Sequence, residues 1–373
     1  MSEPLANLSS RYPEKTLLLG QVFNDTAASY KFFWSLGLLI LIQKHPTGIF
    51  TQREVIEEMI VRAWHPVCFY RLSLGAQDKL QEAVKDLQAE AGLKNDAMPD
   101  EIHEHINSSL RINNRLQTLT NLVPTRFLSP WFAGELRGVD GHLRTKRIQE
   151  LALKSQGSSS PSPYFFERVG SDTLIRVNEG WSIFFQENFE VIRSFIFFHL
   201  CQYLQARNPN VPGVVNKLSA PFIRDLGPAR KFWRTVHAEF NRMGKSTLFH
   251  DIYSGAPLDD AFTIDHFLPW SFVAHDLLWN LTPVASITNS RKSDALPKAD
   301  IYLPRLSKLH REALLVMKAK PKMLEDYANW FMTDIERITS MRDEQFFQHY
   351  RETIEPQLQI AHNQGFQTNW SWS

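Results

Sequence analysis

The chain has 373 residues, 43% of them hydrophobic and 22% charged, which is the make-up of an ordinary globular protein. Single cores rarely grow past roughly 250–300 residues, so two domains are expected. The formal net charge of +1 excludes a globally basic nucleic-acid binder, so any such surface must be local.

In chain order, Met1-Ser-Glu-Pro4 carries no charged-then-apolar leader pattern. The segment Ala27–Gln43 reads as one apolar helix. Its core, Phe32–Ile42, is eleven residues long, short of the roughly 20 that span a bilayer, so it predicts a buried helix and no membrane partner. Thr51 with Glu54 predicts a capping box for a helix through Arg62. His65-Pro66 should break that helix. Asp78–Ala91 has helical periodicity, Asn95–Asp100 is a polar link, Ile102–Leu122 is a further helix, and Pro124–Pro130 is a loop. The only cysteines, Cys68 and Cys201, cannot form a four-cysteine zinc site or a disulfide framework, and they fit a cytoplasmic protein.

Ser155–Pro163, rich in Ser and Pro, is the expected domain boundary, giving domains 1–154 and 164–373. Beyond it, Thr173–Val177 and Trp181–Phe185 around Asn178-Glu-Gly180 predict a hairpin. Helices are expected over Glu187–Arg207, Pro228–Arg242, Leu303–Lys318, Lys322–Thr339 and Asp343–Gln359. The fold class expected is mainly α-helical. Leu248–Pro297 stands apart, with little helical periodicity and polar residues set among apolar ones.

Two stretches are locally basic. Lys217–Lys245 holds Lys217, Arg224, Arg230, Lys231, Arg234, Arg242 and Lys245 against Asp225 and Glu239. Arg111–Arg147 holds Arg111, Arg115, Arg126, Arg137, Arg144, Lys146 and Arg147 against Glu135 and Asp140. Each is either a phosphate-neutralising patch or a solvated face, the second reading weighing more for the N-terminal stretch.

The chemistry concentrates in TIDHFLPWSFVAHDLLWNLTPVASITNSRKSDALP, from Thr263 to Pro297. Asp265-His266 is followed by Asn280, Asn289 and Lys292. Hydrolysis of a phosphodiester needs an activated water, a cation to neutralise the phosphate, and help for the leaving oxygen. Asp265 and Asn289 offer the hard oxygens that Mg²⁺ prefers. His266 can take a proton near neutral pH. Lys292, three residues after Asn289, would share its helical face and could meet a phosphate. Taken singly, each has an ordinary reading: Asn280 as a turn residue, Asn289 as an N-cap, and His275 and Asp276 as a solvated loop or a substrate contact.

Taken jointly, the motif resembles the HNH endonuclease family, and particularly the HNH domain of RNA-guided CRISPR effector nucleases. There too Asp-His is followed by Pro, Ser-Phe, two Asn at these offsets and a Lys-Ser-Asp tail. The resemblance covers about 35 residues; nothing else in the chain resembles such an effector, so RNA guidance is not inferred. It implies a ββα-metal module at about 248–300. Asp265, His266, Asn280 and Asn289 would be the catalytic set, with Asn280 bracing the loop between strands. Asp265 and Asn289 would hold one Mg²⁺ or Mn²⁺, and the helix Asn289–Asp294 would complete the unit. Lys292, Arg291, Lys245 and Arg242 would contact substrate. Many relatives bind a structural zinc through CxxC pairs. Here the upstream stretch Phe249–Gly255 has none, so no structural zinc is expected; His250 and Asp251 alone cannot complete four-coordination. Packing by Phe249, Ile252, Tyr253 and Trp270 would take its place.

The implied function is metal-dependent cleavage of DNA, double-stranded by preference, in bacterial phage defence or restriction, with other defence proteins as potential partners. Region 1–154 would then be a regulatory or recognition domain. The rivals are a nucleic-acid-binding adaptor with an inactive HNH fold and a structure-specific or RNA-directed nuclease.

Overall fold

The computed structural model describes residues 11–24, 26, 28–108, 119–120, 123–157, 161–221 and 224–373. Ala27, Arg111, Arg115, residues 158–160 of the Ser/Pro stretch and the middle of the expected 102–122 helix lie outside them. The protein is mainly α-helical, as its periodicities predict. It divides into two compact units, Met1–Pro209 with Val214–Pro221, and Asn210–Gly213 with Phe222–Ser373.

In the first unit, Tyr30–Lys44 is an almost wholly buried helix, apolar on every side. The next helix, Gln52–Trp64, begins at the expected capping box: the Thr51 hydroxyl accepts from the Glu54 amide at 3.1 Å and the Glu54 carboxylate accepts from the Thr51 amide at 2.6 Å. His65-Pro66 does not end the helical path. The chain widens into a π turn over His65–Phe69, which leaves room for a ring that an α-helical turn would reject. Pro124–Pro130 is likewise no loop. Val123–Phe127 is helical and Ser129–Phe132 is a 3₁₀ turn, each with proline in its first two positions, where no amide donor is needed.

The strands of this unit correct two expectations. Strand β1, Ile49–Thr51, pairs with β3, Asp172–Val177, which also pairs with β2, Tyr164–Val169, so the order is β1-β3-β2. The hairpin therefore turns at Gly170-Ser171, with Gly170 at φ +61°, and not at Asn178-Glu-Gly180. Trp181–Phe185 belongs to a helix, Glu179–Glu187, because Trp181, Phe184 and Phe185 lie at helical spacing and are buried together. The central β3 is shared between strands from either side of the Ser/Pro stretch, so that stretch does not separate the units. Its end is tied down instead, with Asn178 Nδ2 donating to the Ser162 carbonyl at 2.6 Å and Trp181 Nε1 to the Pro161 carbonyl at 2.7 Å.

The second unit wraps long helices around a small sheet. Gly227–Arg242, Ala299–Met317 and Asp343–Asn363 are the long helices. The expected helix Lys322–Thr339 is three pieces, Pro321–Met323, Glu325–Phe331 and Ile335–Ser340, because Met332 takes a left-handed conformation and Asp334 caps a new start. Strand β4, Thr263–His266, pairs antiparallel with β5, Leu281–Val284, and the helix Ser286–Lys292 follows. Trp233 fixes this unit from the side, its Nε1 donating to the Leu281 carbonyl at 3.2 Å. Arg305 fixes it from below, donating to the Ile252 and Tyr253 carbonyls. Phe249, Ile252 and Tyr253 enter the same apolar core as Phe232, Trp233, Leu303 and Tyr350. Two strands and seven helical residues bury too little to stand alone, so the flanking helices supply the rest of the core.

Candidate active site

Asp265 and His266 are the last two residues of β4, and both line a cleft of about 400 Å³. Asn289 and Arg224 share its wall. Both members of the dipeptide are nevertheless almost buried, at 4% and 6% exposure, so each contact made by their polar atoms matters.

The ring of His266 is held from the loop between the strands. Its Nε2 lies 2.7 Å from Oδ1 of Asp276. A carboxylate at that nitrogen makes it the protonated one and leaves Nδ1 as the acceptor, with no partner among the described residues. Asp276 is the site residue that sequence reasoning left undecided. Its offset of ten from His266 lies within the motif, but a lone Asp in a loop carries no further signal.

Asp265 is held more tightly still. The ammonium of Lys292, 1% exposed, lies 3.2 Å from its Oδ1 and 3.1 Å from its Oδ2. The same ammonium donates to the His266 carbonyl at 2.7 Å. Tyr253 donates its hydroxyl to Asp265 Oδ2 at 2.9 Å, and burial with the neighbouring carboxylate pushes that phenol well above its usual range, so it stays a donor.

Asn280 is fully buried, and its amide is used twice on one residue. Oδ1 accepts from the Leu268 amide at 2.8 Å and Nδ2 donates to the Leu268 carbonyl at 2.9 Å. Its own carbonyl accepts from the Phe267 amide at 2.9 Å, which closes the turn after β4. Asn289 does not open a helix. It sits inside Ser286–Lys292, where Nδ2 donates to the Ile264 carbonyl at 3.2 Å. With the nitrogen turned to the strand, the amide oxygen is the atom left for the cleft.

Of the four residues expected to touch substrate, Lys292 and Arg291 are engaged within the unit, and Arg242 and Lys245 lie in exposed ion pairs outside the cleft lining. Lys292 is consumed by the ion pair with Asp265, because its helix follows β5 directly and packs on β4. Arg291 donates to the Ser373 carbonyl at 3.2 Å and stacks over Trp372. Arg242 is paired with Glu239 and Lys245 with Glu312 on the surface. The cation that does reach the cleft is Arg224, stacked over the Trp270 ring at 5.3 Å.

Asp251 lies in the turn before β4. Fully buried, it accepts from the amides of Tyr253 at 2.9 Å and Ser254 at 3.3 Å through Oδ1, and from the Ala285 amide at 3.0 Å through Oδ2. One carboxylate thereby joins the turn before β4 to the end of β5.

Among the described residues no helix is long and apolar enough to cross a membrane. No curated protein and no solved structure gives a significant match to the chain. Residues 251–298 match the family model described as HNH endonuclease. That segment runs from the Asp251 staple through both strands to the end of the Ser286–Lys292 helix and its exit, and so the chain carries an HNH endonuclease domain, the fold of a nuclease.

Proposed function

We propose that the protein is a divalent-metal-dependent endonuclease that hydrolyses phosphodiester bonds of DNA, with Asp265, His266 and Asn289 as its reacting groups. The observation that carries the reading is that Asp265, His266 and Asn289 line one cleft while His266 Nε2 is held from behind, 2.7 Å from Asp276. An inactive adaptor would have no need of a buried histidine locked in one orientation by a carboxylate.

His266 is the general base. Its Nδ1 takes the proton of the attacking water, and Asp276 steadies the charge that then forms on the ring. Asp265 and Asn289 suit a hard divalent ion, offering one carboxylate and one amide oxygen and leaving room for water and phosphate. Such an ion, Mg²⁺ or Mn²⁺, when bound would neutralise charge on the scissile phosphate. Lys292 offsets the Asp265 charge, so the protein donors alone are nearly neutral, and cation affinity is expected to be low until a phosphate adds its own charge. Lys292 and Tyr253 fix the carboxylate orientation; Asn280 fixes the turn on which His266 sits.

The setting we favour is bacterial phage defence or restriction, inside the cell and alongside other defence proteins, where HNH nucleases with helical companions recur. The first unit then serves target choice or restraint. Supercoiled plasmid with Mg²⁺ or Mn²⁺ tests the activity. Nicking or linearisation is expected, stopped by EDTA, and His266→Ala should lose roughly 10²–10⁴-fold in rate while remaining folded. Activity that persists in EDTA, or in the His266 variant, would sink the reading.

A further inference from the structure

We propose that the outer face of the Gly227–Arg242 helix, with Arg230, Lys231 and Arg234, and Arg224 just before it together carry the phosphate backbone of the nucleic-acid strand to the cleft. This rests on the nuclease reading, and it names the surface that reading lacks, since none of Lys292, Arg291, Lys245 and Arg242 lines the cleft.

The helix is two-sided. Phe232, Trp233, Val236 and Phe240 are buried in the core of the second unit, while Arg230, Lys231 and Arg234 are exposed. The spacing of three and four residues puts these cations in one stripe, with Arg230 and Arg234 about 6 Å apart along the axis at 1.5 Å per residue. What distinguishes them from other exposed cations of the unit, such as Lys308, Arg337 and Arg351, is that three without an ion pair fall within five residues on one helix face. Arg242 and Lys320 share Glu239, and Lys245 has Glu312. Arg224, Arg230, Lys231 and Arg234 have no carboxylate partner among the described residues. Three such cations on one exposed helix face make a local positive potential that an anion would neutralise.

The stripe is linked to the reacting groups through Asp276, which pairs with His266 and lines a cleft with Lys231. Arg224 lines the catalytic cleft with Asp265 and His266. Lys231 lines a neighbouring cleft with Asp276, the residue that holds His266. Lys231 also lines a third cleft with Arg230, Arg234, Lys320 and Glu239, the carboxylate there being taken up by Lys320 and Arg242. Lys322, Glu325 and Asp326 line that middle cleft as well, so the phosphate contacts are placed on the exposed helix face and not inside it. A phosphodiester strand, one charge per nucleotide, is the polyanion whose chemistry fits such a row. DNA and RNA share that backbone, and the two arms of the test separate them.

The full-length triple variant Arg230→Gln/Lys231→Gln/Arg234→Gln is compared with wild type by fluorescence anisotropy in EDTA, using a labelled DNA duplex and an RNA strand of the same sequence. Each lost contact should lower the slope of log affinity against log salt by about 0.9 on duplex, so the triple variant should lose 2–3 units of slope, with affinity weaker by roughly tenfold or more at low salt. A control variant at exposed cations of other helices, Lys308→Gln/Arg337→Gln/Arg351→Gln, should keep the wild-type slope. A triple variant with wild-type slope and affinity on both nucleic acids, or a control that loses as much, overturns the track. The nuclease reading fails separately: if His266→Ala cleaves like wild type while the triple variant binds weakly, the surface stands and the catalytic assignment falls.

Discussion

The ammonium of Lys292 lies within 3.2 Å of both carboxylate oxygens of Asp265, and the pair is almost wholly buried. Removing one partner of a buried pair leaves the other uncompensated, at a cost of about 3–5 kcal/mol. Lys292→Met is therefore expected to lower stability on that scale in urea unfolding and to depress cleavage. Lys292→Met/Asp265→Asn should recover much of the stability but none of the activity. If Lys292→Met is as stable as wild type yet binds DNA less well, the lysine is a phosphate contact after all.

Asp276 holds His266 Nε2 at 2.7 Å, and on the proposed mechanism it acts through that ring, so its loss should appear in turnover. Asp276→Asn keeps the shape but removes the charge that orients and steadies the ring. A drop in kcat of about 10–10²-fold with little change in KM is expected, by analogy with residues that hold a reacting group from behind. Single-turnover cleavage against substrate concentration reads the split. A variant with wild-type kcat and a raised KM would make Asp276 a substrate contact.

How much of this was legible in the sequence follows from distance along the chain. The ββα unit is local: its residues fall at fixed offsets in one short segment, so resemblance to the HNH family could single out Asp265, His266, Asn280 and Asn289 as candidates. The roles of Lys292 and Asp276 could not be found this way. Position three after Asn289 says only which helical face Lys292 shares, and whether that face meets solvent or β4 is decided by how the helix packs. Helices announced by caps, such as Thr51 with Glu54, were readable for the same local reason. The β1-β3-β2 sheet was not, because Ile49–Thr51 finds its partner more than a hundred residues later, and the aromatic run Trp181–Phe185 reads as strand or helix until burial chooses. A Ser/Pro stretch looks like a linker unless its carbonyls are known to be claimed, as those of Pro161 and Ser162 are.

Asp251 is expected to do for this unit what a metal does elsewhere. Asp251→Ala strands the buried amides of Tyr253 and Ala285, each worth about 1–3 kcal/mol when left unpaired. A loss of about 3 kcal/mol and a matching fall in melting temperature should follow, with activity lost only as far as the fold is. Asp251→Asn, which keeps an acceptor at Oδ1, should lose less. Equal stability of the alanine variant and wild type would remove the staple from the account.

The two-unit division makes a sharper demand on truncation than the Ser/Pro stretch does. A fragment starting at residue 164 keeps β2 and β3 but removes β1, leaving the central strand of that sheet with an open edge, and it keeps the Glu179–Glu187 and Phe189–Arg207 helices without Tyr30–Lys44, against which both pack. Open edges and unburied aromatic faces lead to aggregation. A fragment starting at Asn210 keeps the second unit whole, including the Gly227–Arg242 helix, both strands and the site residues. Size-exclusion chromatography should therefore find 210–373 monodisperse and 164–373 aggregated, although the longer fragment carries more of the chain. If the first unit restrains or targets cutting, 210–373 should nick plasmid with less discrimination between substrates than the full chain. A soluble 164–373 beside an insoluble 210–373 would move the boundary back to the Ser/Pro stretch. A soluble, well-folded 210–373 that cleaves nothing would mean that the first unit supplies part of the active machinery.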